Sequence, residues 1–449
     1  MKRALVLALL FACGSPIERP DGGAVGGGSG STGGGSTGTG GGAATGGGAG
    51  GSGGSATGGG SAGGTGGTGG SGGGTVTGDA GVQGCAKATA FDPDRIRKVV
   101  VSHPFPADGG SRDNLYEVLN FSPGGELTTT NTFFRMGRGS GGEENMVFTA
   151  DGRFGYVVQD DGSLGIFELG ADGGVTVLDP AYRQGFYAHR LMIEETGAYL
   201  WVLDFNTPAN GGGIYELALG CDGRPTNNGP TWVADIPGSA VLLPTASPSA
   251  IVAARRLGNS ATGHNVHKVE LAPLATQHLY RGGAAAFPDQ DGIYSHVAVS
   301  PNQSWIAISD NGSFGGGDRV AFVSMMGDTL TPATVVTTPS PMGLVFSPYA
   351  DAVLVVNSDS ADHFRMIRRT TGTTWTVGNP LPYTNGRPQL PGQPTLMEIG
   401  MLRGRVLVPE LDAIRQLRFE TDGGITDVAR TPASGSGNGQ IIGVLGVWR

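Results

Sequence analysis

Lysine is scarce in this chain, and the shortage limits what the protein can bind. Only four lysines occur among 449 residues, 15% of all residues are charged, and the formal net charge is −9. A nucleic-acid partner requires clustered lysine and arginine side chains that neutralise phosphates. We therefore expect no nucleic-acid binding, and we expect any membrane attachment to come from something other than a basic patch.

Long apolar runs and helical periodicity are also missing. The apolar stretch Ala4–Ala12 is too short to span a bilayer, which takes about 20 residues. Beyond residue 85 no convincing amphipathic pattern with a period of 3.6 residues appears, whereas short β-type runs separated by DG, GG and NG turns are frequent. The sequence therefore predicts an all-β protein.

The N-terminus has the parts of an export signal. Met1–Arg3 is positively charged, and Ala4–Ala12 is a suitable apolar core for a signal peptide. Leu10–Cys13 (LFAC) resembles the bacterial lipobox, which implies cleavage before Cys13 and attachment of lipid to its thiol. The alternative is an ordinary secretory signal with a chance cysteine at this place. Because Gly14 is not Asp, the resemblance favours an outer-membrane lipoprotein.

These features predict an exported, monomeric protein of the bacterial cell envelope, facing the periplasm or the surface. Residues 1–12 form the signal peptide, residues 13–84 the lipidated cysteine and a tether, and residues 85–449 the folded domain. Between Asp21 and Gly84 lie 35 of the 84 glycines, and such a segment cannot offset the entropy of ordering. We expect it to be disordered, with a mean span of roughly 40–45 Å.

A repeat of four short strands decides the fold of the domain. The clearest copy lies between Asn145 and Leu178, where four β-type runs are joined by tight turns. Further first strands begin near Leu191, Val241, Val297, Leu344, Leu396 and Ile441, which gives a mean period of about 49 residues. Four antiparallel strands per repeat make one blade of a β-propeller.

The two ends of the domain complete the count of blades. Three β-type runs at the start of the domain match the second, third and fourth strands of a blade that lacks a first strand; they are Lys98–Val101, Asn114–Leu119 and Glu126–Thr130. The chain ends on a lone strand, Gln440–Gly446. Placed innermost in that blade, the last strand closes the ring and removes free edges. The sequence therefore predicts a seven-bladed β-propeller; a pair of β-sandwiches and an eight-bladed ring are the alternatives.

The amino-acid sequence of the repeats resembles that of propellers of the lactonase/YVTN type. The resemblance lies in Ala150–Val158 (ADGRFGYVV), in Gly165–Leu169 with Asp172–Gly174, and in the Ser-Pro turns at Ser300 and Ser347. It covers roughly residues 97–449 and concerns turn and core positions. The resemblance implies the fold; its members include enzymes that open sugar lactones, but no catalytic signature of theirs can be carried over.

Two cysteines remain after Cys13. Cys85 lies where the tether meets the domain, and Cys221 lies in a turn after the third strand of a blade. Export places both in an oxidising compartment, which leads us to expect a Cys85–Cys221 disulfide; two unpaired thiols are the alternative.

Candidate site residues follow the second strands. Polar residues recur near the ends of these strands, and in a propeller they would surround one mouth of the central channel; they are His103, Asp160, Asp204, Asp310, Asp359 and Glu410. His189 and His296 begin first strands and should face the same mouth. The carboxylates could hold Ca²⁺, and a histidine could act as a general base. The alternative is that the acidic residues form turns and that each histidine is packed or caps a strand. We expect His264, His267, His278 and His363 at the surface.

The sequence is compatible with two functions. The first is a binding or scaffold module for a protein, peptide or glycan, held at the membrane by lipid. The second is a lactonase-like hydrolase that acts on a sugar lactone or related ester at the channel mouth. No convergent catalytic motif is present, which favours binding, and no cofactor is certain.

Overall fold

The structure is a computed structural model, and it describes most of the domain. The described residues are 95–104, 114–140, 145–194, 197–204, 213–232, 236–245, 248–255, 264–271, 279–287, 294–311, 318–357, 362–388, 391–398, 400–410, 413–432 and 445–447. The signal peptide, Cys13, the tether and Cys85 lie outside them. Within these ranges the chain forms strands and turns, and no helix is long and apolar enough to cross a membrane.

Seven sheets of four antiparallel strands form the domain, and each is one blade. Strands are given from the innermost outward. Blade 1 contains β28 (Leu445–Val447), β1 (Arg97–His103), β2 (Leu115–Phe121) and β3 (Leu127–Arg135). Blade 2 contains β4 (Met146–Phe148), β5 (Phe154–Val158), β6 (Leu164–Leu169) and β7 (Val175–Tyr182). Blade 3 contains β8 (Ala188–Ile193), β9 (Tyr199–Asp204), β10 (Gly213–Leu219) and β11 (Pro225–Trp232).

The remaining four blades have the same order. Blade 4 contains β12 (Ile236–Leu243), β13 (Ser249–Arg255), β14 (Val266–Glu270) and β15 (Leu279–Ala284). Blade 5 contains β16 (Tyr294–Val299), β17 (Trp305–Asp310), β18 (Arg319–Met326) and β19 (Thr329–Thr337). Blade 6 contains β20 (Pro341–Phe346), β21 (Ala352–Asn357), β22 (Phe364–Thr371) and β23 (Thr374–Pro380). Blade 7 contains β24 (Thr395–Leu396), β25 (Arg405–Pro409), β26 (Ala413–Phe419) and β27 (Ile425–Pro432). The predicted seven-bladed propeller is confirmed.

The second strand of each blade explains why the sequence packs in this way. Successive side chains of a strand point to opposite faces of its sheet. Val99 and Val101 of β1 therefore pack against blade 7, whereas Val100 packs against blade 2. Because both faces are covered, these strands are continuous apolar runs such as Val353–Val356. Seven clusters of buried side chains are found in the described part, one between each pair of neighbouring blades.

The ring is closed by strands from both ends of the domain. β28 pairs antiparallel with β1 through Val99–Val447, Val100–Gly446 and Val101–Leu445. The last strand thus supplies the innermost position of blade 1, as the sequence predicts, although the described strand begins at Leu445 and residues 440–444 lie outside the described part.

A second contact between blades uses glycines in the turns that join third to fourth strands. Gly223 of blade 3 has a φ of +75°, and a Cβ there would overlap the ring of Phe154, the first residue of β5 in blade 2. The same turn in blade 1 places Gly125 against Arg405, the first residue of β25, and a Cβ at Gly125 would lie 3.0 Å from Nη2 of that arginine. A side chain is disfavoured at each of these positions for two reasons: the backbone is left-handed, and the neighbouring blade occupies the space that a side chain would need.

We predict that Gly223→Ala destabilises the domain by about 2–4 kcal/mol, since it adds overpacking to backbone strain. Gly327→Ala is the matched control: Gly327 has a φ of +61° in an equivalent turn, but nothing lies within 4 Å of its added Cβ. This control should cost only about 1–2 kcal/mol. Denaturant unfolding of both variants measures the difference, and equal losses would show that the contact with Phe154 is unimportant.

Candidate functional site

The two faces of the propeller differ in their connections. Antiparallel strands alternate in direction, so second strands all end at one face, here called the loop face, and first and third strands end at the opposite face, here called the turn face. Most connections on the turn face have five residues or fewer, such as 149–153, 194–198 and 300–304, and two, 271–278 and 397–404, have eight. The loop face carries the long connections 104–114, 205–212, 256–265 and 311–318, parts of which lie outside the described residues.

Two of the candidate carboxylates are bound by arginine. Asp310 ends β17 and is 1% exposed, and its Oδ2 lies 3.3 Å from Nε of its cross-strand partner Arg319. Glu410 follows β25 and is fully buried. Its two carboxylate oxygens accept hydrogen bonds from Nε of Arg415 and from Nε of Arg430, the latter at 2.9 Å. Both carboxylates fasten the end of the second strand to outer strands of the same blade.

Arg415 is the centre of a buried network in blade 7. Besides Glu410, its guanidinium donates to Asp427 Oδ2 at 2.7 Å and to the carbonyl of Gly386 at 2.8 Å. Asp427 in turn accepts the backbone N–H groups of Thr384 and Asn385 at 3.0 and 3.1 Å. The network therefore fixes the connection between blades 6 and 7 on the loop face.

The other acidic candidates have different surroundings. Asp204 ends β9, is fully buried and accepts the backbone N–H of Tyr187 at 2.9 Å. Asp160 follows β5, is partly exposed, and its carbonyl accepts the hydroxyl of Tyr187 at 2.9 Å. Asp359 lies outside the described residues, and the end of β21 is occupied instead by the buried Asn357.

Blade 1 has a histidine and a glutamate at the equivalent place. His103 ends β1, and its Nε2 lies 3.0 Å from Oε2 of Glu117 on β2, with both side chains fully buried. Their other polar atoms, Nδ1 and Oε1, have no hydrogen-bond partner. Across the described residues, no three His, Cys, Asp or Glu side chains are grouped so as to hold a metal ion. The described candidates thus lie at or near the ends of second strands, each with partners of its own.

The candidate histidines lie beside β-bulges in inner strands. In blade 3, Ala188 pairs with Asp204 and Arg190 with Leu203, so His189 is the extra residue of the bulge. In blade 5, Tyr294 pairs with Asp310 and His296 with Ser309, which places a bulge at the same position. Such bulges re-aim side chains and are frequent next to functional sites.

The positive charge of Arg190 lowers the pKa of both histidines. Burial lowers the pKa of His189 to about 3, and the positive charge of Arg190 adds to the effect. Burial and the same arginine also lower the pKa of His296 well below its usual range. His296 Nδ1 accepts the backbone N–H of Leu344 at 3.3 Å, which leaves the proton of the neutral ring on Nε2. Both rings are therefore neutral near pH 7.

Several functional groups were missed from sequence alone. Glu117, Arg415 and Asp427 lie on third and fourth strands, where a polar residue in a β-type run was the only signal available. The expectation of surface histidines was wrong for His267 and His363, which are 0% and 7% exposed. The ring of His267 lies against that of Tyr280, and His363 Nδ1 lies 3.0 Å from the carbonyl oxygen of Asn357. His264 is partly exposed, and His278 lies outside the described residues.

The strand order and the closed ring define this chain as a seven-bladed β-propeller. No family model and no curated protein matches the sequence. Solved propellers do match: a protein assigned as a 6-phosphogluconolactonase from Bacteroides fragilis has a TM-score of 0.57 and 15% identity, with 80% of this chain and 99% of that chain covered. The periplasmic gluconolactonase PpgL of Pseudomonas aeruginosa has a TM-score of 0.55 and 14% identity, with 79% and 99% covered. At such identities the likeness shows the architecture alone.

We predict that Arg415→Leu destabilises the domain by about 3–5 kcal/mol, because Glu410 and Asp427 would remain as buried charges without their common partner. Arg418→Leu on the same strand is the control, since Arg418 is 46% exposed and pairs with Glu420 at the surface. Its loss should cost less than about 1 kcal/mol. Urea unfolding compares the two variants, and similar midpoints would refute a structural role for the network.

We also predict a histidine-dependent loss of stability in mild acid. Since the folded pKa of His189 is about 3, the unfolded state binds more protons between that pH and about 6.5. The free energy of unfolding should therefore fall as the pH is lowered below about 6.5, by up to about 1.4 kcal/mol per pH unit for this group. His189→Gln should flatten the curve between pH 6.5 and 5; parallel curves for both proteins would contradict the prediction.

Proposed function

We propose that this protein is an envelope lipoprotein whose propeller binds a protein, peptide or glycan through its loop face. The observation that carries the proposal is the contrast between the two faces of the ring. Rigid scaffolds that present long connections on one face are where binding sites accumulate. Two of the strand ends beneath those connections are held by buried pairs, Asp310–Arg319 and His103–Glu117.

The state of the histidines supports binding over hydrolysis. A general base is most effective when its pKa lies near the working pH, whereas burial holds the pKa of His189 near 3. His296 already accepts a backbone hydrogen bond at Nδ1. Neutral imidazoles of this kind are suited to hydrogen-bond a ligand and poorly suited to remove a proton from water.

The location of the protein is part of the proposal. Lipid at Cys13 would hold the protein at the envelope, with the outer membrane favoured, and the tether up to residue 84 would keep the propeller clear of the bilayer. A flexible tether also raises the effective concentration of the propeller near membrane-bound ligands. A Ca²⁺ ion at the loop face is a weaker proposal, because Asp310 and Glu410 already bind arginines.

A lactonase-like hydrolase is the second candidate. Two matching propellers carry the names of lactonases that act on gluconolactones. In this chain, the positive charge of Arg190 acts on both His189 and His296, which lie at the bulges of inner strands. A substrate that carries negative charge could raise the pKa of either imidazole and so make it a stronger base. This function requires that the protein hydrolyses a lactone and that the activity depends on His189 or His296.

We predict that shortening one long connection abolishes ligand binding without unfolding the domain. The variant replaces residues 311–318 by the five-residue turn 159–163 of blade 2, which joins equivalent strands. Capture of envelope proteins and of a glycan array by the immobilised full chain measures binding. Gly327→Ala on the turn face is the matched control and should capture what the wild-type protein captures. Equal capture by all three proteins would reject the loop face as the binding surface.

We further expect no lactone hydrolysis by the wild-type protein above the buffer rate. A pH-stat assay with a panel of sugar lactones measures the release of acid. If the wild type turns over a lactone, and His296→Ala loses that activity at an unchanged melting temperature, the hydrolase is the correct function and the binding proposal fails.

A further inference from the structure

His363 on the loop face presents one ring nitrogen as a hydrogen-bond acceptor. It precedes β22, and its Nδ1 lies 3.0 Å from the carbonyl oxygen of Asn357. Because a carbonyl only accepts, Nδ1 carries the proton of the neutral ring and Nε2 holds a lone pair. Burial is the main cause that lowers the pKa of His363, so the ring is neutral near pH 7. No described residue forms a hydrogen bond to Nε2.

The connection between blades 6 and 7 lies beside this histidine. The hydroxyl of Tyr383 accepts the backbone N–H of His363 at 2.8 Å, and the ring centre of Tyr383 lies 5.9 Å from the guanidinium carbon of Arg415. Arg415 in turn donates to the carbonyl of Gly386 at 2.8 Å. The next residue, Arg387, is exposed, and its positive charge acts on His363 and Tyr383. These contacts place Arg387 and His363 in the same part of the loop face.

Arg387 supplies a positive charge that the described residues around it do not neutralise. The other arginines at the loop-face end of blades 6 and 7 are paired with carboxylates: Arg415 and Arg430 with Glu410, Arg415 also with Asp427, and Arg365 with Asp362. No described residue forms an ion pair with the side chain of Arg387. An exposed arginine of this kind favours an anionic ligand, and its planar guanidinium matches the geometry of a carboxylate.

The two groups select for a carboxylate and a hydrogen-bond donor on one ligand. The guanidinium of Arg387 donates to the carboxylate, whereas Nε2 of His363 accepts the proton of a hydroxyl. A uronic acid carries a carboxylate and several hydroxyls on a single sugar ring. Peptides are commonly recognised along an exposed strand edge or in an apolar groove. Here the adjacent strand β22 is paired on both sides, and the ligand-facing groups are polar or charged.

We propose that His363 and Arg387 form a binding site on the loop face for a uronic acid residue of an acidic glycan. Arg387 binds the carboxylate, and Nε2 of His363 accepts a hydroxyl of the same sugar. The bond from Nδ1 to Asn357 positions the ring for this contact. The inference rests on the proposed function and narrows its ligand to a glycan that carries carboxylates. Because Arg387 is exposed, added salt should weaken the binding.

Calorimetric titration of the full chain with trigalacturonate tests the site. The fully methyl-esterified trisaccharide is the ligand control, because it keeps ring hydroxyls but lacks the charge. Arg387→Gln should weaken the binding of trigalacturonate about tenfold, since a hydrogen bond to a charged group is lost. His363→Asn keeps a donor near the position of Nδ1 and removes Nε2, and it should weaken the binding about 2- to 10-fold. Melting temperatures show whether each variant is folded.

Arg183→Gln is the matched control variant. Arg183 is also exposed, and it lies in the equivalent connection between blades 2 and 3, where it pairs with Asp161. Its loss should leave the affinity for trigalacturonate unchanged.

Equal affinities of the wild type and folded Arg387→Gln would overturn the site, as would equal binding of the methyl ester. Binding of oligoglutamate in place of the saccharide would overturn the assignment to a glycan. If the wild type binds no acidic saccharide but still captures envelope proteins or other glycans, this inference fails and the proposed function stands. Capture of nothing at all rejects the proposed function itself.

Discussion

Closure of the ring depends on three residue pairs between β28 and β1. Without β28, blade 1 would lack its innermost strand. The apolar side chains on its two faces, which pack against blades 7 and 2, would then be more exposed. The neighbouring interface adds to this pairing. Val99, Val101 and Phe121 of blade 1 pack with Met397 and Leu407 of blade 7 in one buried cluster. The turn at Gly125 also receives Arg405 of blade 7, so the two ends of the domain are joined by packing as well as by pairing.

Polar residues at the strand ends perform a related task at the loop face. A second strand that is apolar on both faces still has to end with its backbone near water. Asp310, Glu410 and His103 end such strands in three blades, and each is tied to the adjacent third strand through Arg319, Arg415 or Glu117. Breaking a buried pair costs more than the pair contributes, so these groups specify the position of the strand ends more than they add stability. A rim of this kind can carry connections of different length while the strands beneath keep their positions.

The fold could be predicted from the sequence because the signals were local and repeated. Four β-type runs with tight turns recur about every 49 residues, and a missing first strand at one end matched a spare strand at the other. The site could be predicted only in part. Asp204, Asp310 and Glu410 lie at or directly after the ends of second strands, as the sequence predicts, but their partners come from other parts of the blade. Arg415 on β26 has no local pattern that reveals its bonds to Glu410 and Asp427. Arg190 acts on His296 across two blades, which no spacing in one sequence indicates.

The same features bear on both proposed functions. A hydrolase needs a base that gains a proton in the transition state, and a cation next to that base raises the cost of the gain. Arg190 places such a cation beside both channel histidines, and burial acts in the same direction. A ligand that brought negative charge to Arg190 would offset the effect of the arginine on both histidines, so the basicity of the imidazoles would depend on the ligand. Binding would therefore come first in either proposed function, and our proposal assigns the selection of the ligand to the long connections of the loop face.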